Sequence, residues 1–394
     1  MRRVYLDNNA TTPVAPEVFE AMKPFLAEDY GNASSVHWFG QRAKAAVEKA
    51  REQVARLINA RPNDVAFTSG GTESDNLSLF GALDAARTKD GTRHLIISSI
   101  EHHAVLHSAQ ALEKRGVEVT YVRVGASGVV DPEDVRRAIR PNTVLISIMH
   151  ANNELGTIQP LEEIGRIAEE HDITFHTDAV QAVGKIPVDV EKMRADLLSL
   201  SAHKLHGPKG VGAIYVRKGT RLAPLLYGGH HERDRRPGTE NTPGIVGLGK
   251  AAELAHANLE NEGGRIAAMR DRLEEFILAN IPLATRNGDA VHRLPNTANL
   301  RFEHVDGEGF VIAMDLKGVA CSTGAACSSG SVEPSHVLSA VGLTPAQARS
   351  CVRFSLGLMN TDEDVDYALE VLPAVVERLR AVSPHYKTAV TSVK

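Results

Sequence analysis

Three short segments carry side chains that, brought together, would do chemistry none does alone. The first is residues 69–76 (SGGTESDN), which directly follow an apolar run and open a helical one. Glycines there let backbone N–H groups approach an anion, and a helix N-terminus favours negative charge. No Gly-Lys-Ser/Thr follows, so the loop is not a nucleotide P-loop, and a small phosphate fits better. Thr72 with Asp75 also reads as a plain capping box. The second segment, residues 173–181, starts apolar and reaches Thr177-Asp178. An acid at a strand's end holds a proton on a heterocyclic nitrogen, because a nearby anion favours the cationic form; it equally serves to cap a helix. The third is residues 200–210, where Lys204 stands just past an apolar strand and before a glycine-rich turn. Lysine forms Schiff bases where its environment lowers its pKa, although most loop lysines are simply solvated. An anion cradle, an aspartate and a lysine in this order are what pyridoxal phosphate (PLP) requires.

These segments must be carried to one place by the fold, and the hydrophobic spacing indicates how. Ala43, Ala46, Val47, Ala50, Val54, Leu57 and Ile58 repeat at helical spacing. Short apolar runs at 65–67, 95–97, 117–122, 144–148, 173–175, 197–200 and 212–216 then alternate with predicted helices at 74–87, 104–115, 132–138 and 161–171. That alternation means βαβ units and a mostly parallel sheet. Ligands of such sheets bind at the carboxyl ends of the strands, where all three segments fall. A composition change near residue 258 opens a second unit. It is predicted to contain a long amphipathic helix at 259–280, a strand near 299–302, a helix near 308–316 and a strand near 352–355. A last helix opens at a capping-box pattern from Thr361 and runs to about Arg380. There is no internal repeat, and the one low-complexity stretch, 321–331, is made of small residues.

Composition removes several classes of function. Hydrophobic residues at 43% and charged residues at 24% of 394 are ordinary for a soluble globular protein. A formal charge of −5 leaves no basic footprint for nucleic acid. No stretch approaches the roughly 18 apolar residues of a membrane span, and the opening arginines have no apolar run behind them, so no signal peptide is expected. Three cysteines do not make a disulfide framework and point to a reducing cytoplasm. Among the seventeen histidines, His103 and His107 stand four apart on a predicted helix. The order Glu101-His102-His103 lacks the H-E-x-x-H arrangement, so no metal site of the chain's own is expected.

The ordered motifs place the chain in a known family. YLDNNATTP at 5–13, GNASSVH at 31–37, SGGTESDN, IEHHA, MHANNELGTIQP, HTDAVQAVGK, SAHKLHGPKG, RRPGTEN, ACSSGSVEPSHVL and VRFSLG run nearly end to end. In these the sequence closely resembles the cysteine desulfurases of the NifS/IscS-like type, within the class V aminotransferases and the fold-type I PLP enzymes. The resemblance implies an α/β large domain at 16–258 with a mostly parallel sheet. It also implies a smaller α+β C-terminal domain at 259–394, and an N-terminal arm at 1–15 packed on the latter. By position it implies Lys204 as the Schiff-base lysine and Asp178 as partner of the pyridine nitrogen, with Asn153 and Gln181 at the phenolate edge. Gly71, Thr72, Ser201, Ala202 and His203 would hold the phosphate side, joined by Thr239 from the neighbouring subunit of a homodimer. The charged stretch 230–236 that leads to Thr239 has no apolar pattern and makes a poor core element. His102 would stack on the ring and move the substrate thiol's proton. Arg353, with Asn153, would bind substrate, and Cys327 would accept the sulfur. The implied substrate is L-cysteine, and the implied partner an iron–sulfur scaffold protein or other sulfur acceptor, with which Cys327 could share a cluster.

The three cysteines separate by their surroundings. Cys321 closes an apolar run and Cys351 precedes Val352-Arg353-Phe354, so both are expected to pack inside. Cys327 sits among small residues that would neither bury it nor stiffen the backbone, which suits a thiol that has to travel. A selenocysteine lyase, a shorter-loop desulfurase, an aminotransferase of the same fold, or a mere docking platform for sulfur acceptors are the rival readings. The long stretch around Cys327 and the full PLP set argue against them.

Overall fold

The alternating runs build one large sheet in a computed structural model that describes residues 2–88, 91–324, 334–383 and 386. The chain begins β1 (Val4–Tyr5), α1 (Pro16–Met22), α2 (Pro24–Ala27), α3 (Trp38–Leu57), β2 (Val65–Thr68), α4 (Gly71–Ala85), β3 (His94–Ser98) and α5 (His103–Glu113). It continues β4 (Glu118–Val122), α6 (Pro132–Ala138), β5 (Thr143–Ser147), α7 (Leu161–Glu170), β6 (Thr174–Asp178), β7 (Leu197–Ser201) and β8 (Gly212–Val216). Seven strands lie in the order β2-β8-β7-β6-β5-β3-β4. β7, β6, β5, β3 and β4 run parallel, and only β8 opposes its neighbours β2 and β7. Every residue of β2, β3, β7 and β8 is buried, the sign of a sheet covered on both faces, and it explains why these strands read as unbroken apolar runs.

Two predicted boundaries moved for identifiable reasons. The helix expected at 74–87 starts at Gly71, and its N-cap is Gly70 at φ +153°, a conformation that side chains disfavour. The Thr72/Asp75 capping box is not the cap used, since Asp75 is turned inward and fully buried. The helix expected to open at 259 is the second half of α8 (Thr242–Asn280). Its first half buries Ile245, Leu248, Ala251 and Ala252 in the core of the large sheet. Its second half buries Ile266, Met269, Leu273 and Ile277 in a separate apolar cluster with Phe302, Phe310 and Phe354. Gly249 makes the first contact possible, because a Cβ there would lie 2.6 Å from the Cα of Ala50 on α3.

Around that second cluster lie β9 (Ala284–Arg286), β10 (Thr297–Phe302), α9 (Gly307–Leu316), β11 (Val319–Ala320), α10 (His336–Ala340), α11 (Pro345–Ala348), β12 (Cys351–Ser355) and α12 (Asp362–Val382). The strands β12-β10-β9 form an antiparallel sheet, and β1 pairs in parallel with β11. Thr361 donates its N–H to Asp364 Oδ2 at the start of α12.

Polar residues inside this frame explain two features of the sequence. His94 is held between Thr143 and Thr120, and His176 between Ser147 and Ser199. Burial pulls them to about 4 and about 3, so part of the histidine excess is neutral core. The stretch 230–236, expected to stay out of the core, sends Glu232 into it. Arg51 donates to both oxygens of Glu232 (2.6 and 2.9 Å), and the Phe67 N–H donates at 2.9 Å. The Arg51 guanidinium lies 4.8 Å over the Phe67 ring. The pairing is long-range, between residues 181 apart, and no local pattern announces it. The segment reaches that position by three consecutive left-handed residues, Glu232, Arg233 and Asp234 (φ 47°, 58° and 64°).

Candidate active site

The carboxyl ends of β6 and β7 open onto a cavity of about 370 Å³. Gly71, Thr72, His102, Asn153, Asp178, Gln181, Ser201, His203, Lys204 and Arg353 all line it. Ala202 is fully buried in the turn that carries Lys204. Thr239 is exposed and lines none of this cavity. Cys327 lies outside the described residues.

Asp178 is the last residue of β6, and Lys204 ends the 3-10 turn Ala202–Lys204 that follows the neighbouring strand β7. Burial raises the Asp178 carboxyl to about 6, against the pull of the Val180 N–H, which donates to Oδ1 at 2.9 Å, and of Lys204. That N–H contact is the turn an aspartate makes with its own chain two residues on, so the side chain caps locally and also faces the cavity. Lys204 Nζ donates to the carbonyls of Asn9 (2.6 Å) and Ala10 (2.8 Å). The N-terminus of α4 borders the same space. A Cβ on Gly71 would stand 2.7 Å from Val180 Cγ2, so glycine is what lets the helix end pack this closely against the turn that follows Asp178. First-turn N–H groups there, with the hydroxyls of Thr72 and Ser201, suit an anion.

His102 caps α5, its Nδ1 accepting the Ala104 N–H at 3.1 Å. Nε2 is therefore the nitrogen left to the cavity. Burial, then the nearby Lys204, pull the ring to about 4, so it is neutral near pH 7. His203 shares its Nδ1 with Thr11 Oγ1 at 3.1 Å, and burial likewise takes it to about 4. Arg353, 1% exposed on β12, donates to Asp7 Oδ1 (2.6 Å) and to the carbonyls of Asn153 (2.9 Å) and Gly324 (3.4 Å).

Several residues that shape the site had no role assigned from sequence. Lys185 donates to Gln181 Oε1 (2.6 Å) and Asn9 Oδ1 (3.1 Å), while Gln181 Nε2 donates to the Asn9 carbonyl (3.0 Å). Burial, then the cations Lys204 and Arg353, push the Lys185 amine well below its usual range. Asp75 and Glu101 are buried acids whose carboxyls burial pushes up, the latter to about 8. These residues sit inside the recognisable motifs, and only their spatial neighbours give them a task. Cys321 and Cys351 are both buried, as expected. Burial raises both thiols, that of Cys351 to about 12, so neither supplies a thiolate near neutral pH.

Asp75, His102 and Asp178 bring ligand atoms within 4.8 Å of one another. Such a trio suits a small cation or the nitrogen and face of a heterocycle, and Lys204 is already close enough to act on two of its members. A phosphate-sized anion seat, an acid at depth, an imidazole and an amine on one cavity fit pyridoxal phosphate.

Residues 4–368 match the Aminotransferase class-V family. The chain is 52% identical over 384 residues to the cysteine desulfurase IscS of Dictyoglomus turgidum, covering 98% of this chain and 97% of that one. A solved structure described as a NifS-like protein superposes with a TM-score of 0.90 at 40% identity, over 96% of this chain and 100% of that one. Another, described as SspA in complex with cysteine, gives 0.79 at 42% identity, over 90% and 98%. The mostly parallel sheet, the site at its strand ends and a likeness that spans both apolar clusters agree: the chain belongs to the class-V aminotransferase family and, within it, to the cysteine desulfurases.

Proposed function

We propose that this protein converts L-cysteine to L-alanine with PLP bound in the β6–β7 cavity, moving the sulfur to Cys327 and then to an acceptor. The observation that carries the cofactor reading is the meeting of Asp178 and Lys204 at the ends of adjacent parallel strands, beside the glycine-bound start of α4. When bound, PLP supplies an electron sink conjugated to the substrate Cα. Lys204 would hold the cofactor through its amine, and the same amine is placed to take the substrate's Cα proton. Asp178 would face the ring nitrogen and favour its protonated form. Gly71, Thr72, Ser201 and His203 hold the phosphate together with Thr239 of the partner subunit. Gln181, fixed by Lys185 and Asn9, faces the phenolate edge with Asn153. Arg353 receives the substrate carboxylate. Its pairing with Asp7 leaves the buried guanidinium balanced before substrate arrives, which lowers the cost of keeping it there.

The Cys327 thiolate attacks the substrate sulfur, so that a sulfur–sulfur bond forms as the substrate's Cβ–S bond breaks; the bonding pair leaves with Cβ, which takes up a proton to become the methyl group of alanine. His102, neutral near pH 7, takes up the thiol proton at Nε2. No helix among the described residues is long and apolar enough to cross a membrane. An iron–sulfur scaffold is the acceptor class the motif resemblance favours. Mass spectrometry after incubation with L-cysteine tests the proposal: one added sulfur on Cys327 with release of alanine is expected. Sulfur carried on Cys321 instead, or release of pyruvate without alanine, would overturn it.

A further inference from the structure

Glu154 is 4% exposed beside the cavity, and the chemistry above leaves its carboxyl group without a task. Its backbone is secured separately: the amide donates to Asn152 Oδ1 (2.9 Å) and the carbonyl accepts from Asn299 Nδ2 (3.2 Å). The side chain meets two residues far along the chain, and meets both with the same oxygen. Ser335 Oγ donates to Glu154 Oε2 at 2.7 Å. Gly324 lies against Oε2 so closely that a Cβ there would sit 3.0 Å from it, with a backbone φ of +93°. Gly324 is held further by Ser322 Oγ, which accepts its N–H at 3.1 Å, and by Arg353 Nη1, which reaches its carbonyl at 3.4 Å. On the other side, Ser335 caps α10 and His336 Nε2 lies 2.9 Å from the Glu101 carbonyl. Gly324 and Ser335 bracket the segment that contains Cys327.

We propose that Glu154 is a positioning residue for sulfur transfer: its carboxyl group holds Ser335 by a hydrogen bond and abuts Gly324, and so fixes beside the cleft the two residues that flank the Cys327-bearing segment. The proposal rests on Cys327 being the sulfur acceptor. Attack on a substrate sulfur depends steeply on approach, with about 1 Å of misplacement able to cost roughly a hundredfold. Glu154 thus acts through the loop's ends, with no contact to the reacting atoms required.

Holoenzyme carrying Glu154→Ala, Glu154→Gln or Ser335→Ala is compared with the parent in two measurements after rapid mixing with L-cysteine. One is the rate of the cofactor's absorbance change on substrate binding, and the other is the rate at which sulfur appears on Cys327 by quenched mass spectrometry. The first is expected to stay within about twofold throughout, while the second falls about a hundredfold in Glu154→Ala and about tenfold in Ser335→Ala. Glu154→Gln should keep most of the transfer rate, because its amide oxygen still accepts the Ser335 hydroxyl. Equal loss in both steps would overturn the proposal, since Glu154 would then be acting on the cofactor site. So would a Gln variant as slow as the Ala variant. If Glu154→Ala does not fold, Ser335→Ala decides alone, and transfer at the parent rate overturns the proposal. No sulfur on Cys327 of the parent overturns the acceptor assignment together with the proposal. Sulfur there, undiminished in the variants, overturns the proposal alone.

Discussion

Asp178→Asn should make the cofactor-free protein more stable while spoiling it for its cofactor. The carboxyl is buried, and its pKa rises from 3.8 to about 6 on folding. A raised carboxyl pKa means that folding favours the protonated form, so its contribution is fully favourable below the unfolded pKa and is lost as pH climbs through the folded one. At about 1.4 kcal/mol per pH unit, the loss grows from near zero at pH 4 to roughly 3 kcal/mol above pH 7. Asparagine is neutral throughout and still offers Oδ1 to the Val180 N–H, so it escapes the loss without giving up the local turn. It also relieves Asp75, which Asp178 pushes upward. Urea unfolding of both cofactor-free proteins between pH 4 and 8 measures the gap directly. The variant should be the more stable by an amount that widens with pH and levels off near pH 7. Saturating the proteins with PLP should shift the advantage back to the parent, since an ionised Asp178 then faces a cation. Stability curves that stay parallel from pH 4 to 8 would refute the reasoning, because the carboxyl would then titrate alike in the folded and unfolded chains.

Borohydride reduction of the loaded protein should fix a pyridoxyl group on Lys204, seen by peptide mapping, and a label on Lys185 or Lys209 would move the site. Cys327→Ala should keep the absorbance change with L-cysteine but make no persulfide. Cys321→Ala and Cys351→Ala should keep most activity and lose about 1–2 kcal/mol of stability in urea. Glu232→Ala takes from buried Arg51 its two-oxygen partner and leaves it Glu48 and the Val65 carbonyl, so it should cost about 2–3 kcal/mol by the same measurement, less than a fully orphaned buried charge; a loss under about 1 kcal/mol would mean that Glu48 and water suffice. Thr239→Ala should weaken phosphate affinity in a protein that sediments as a dimer, and a fully active monomer would rule out a shared site.

The strands were legible because a sheet buried on both faces writes itself as unbroken apolar runs, and β8 was placed at its own two ends, Gly212 and Val216. What that pattern does not carry is where helices stop. The continuity of α8 was missed although no glycine or proline interrupts residues 250–262: the composition change near 258 reflects a change in what the two halves pack against and not a break in local propensity. Asp178 and Lys204 could be picked out because residue type and strand end together suggest a task. Lys185, Asn9 and Glu154 could not, since their partners lie elsewhere along the chain or at its far end, Ser335 being 181 residues from Glu154. Glu232 went further and contradicted its own surroundings. A run of charges is normally solvated, and only Arg51 beneath it makes one member a core residue.

The N-terminal residues 7–12 bear on how the enzyme is made. Asp7 holds Arg353, Asn9 and Ala10 hold Lys204, and the Asn9 N–H is received by Ser355 Oγ, 346 residues away. Residues 7–12 are thus made well before the partners that settle them. At about 5–20 residues per second, synthesis alone separates Asn9 from Ser355 by roughly 20–70 s. During that interval the strands from β2 to β8 are free to fold, while the lysine, the arginine and the mouth of the cavity between them lack their shared anchor. Nascent chains should therefore bind the cofactor weakly until residues 353–355 have been made, and a bulky group fused ahead of residue 1 should slow the appearance of activity more than it lowers the stability of the finished fold.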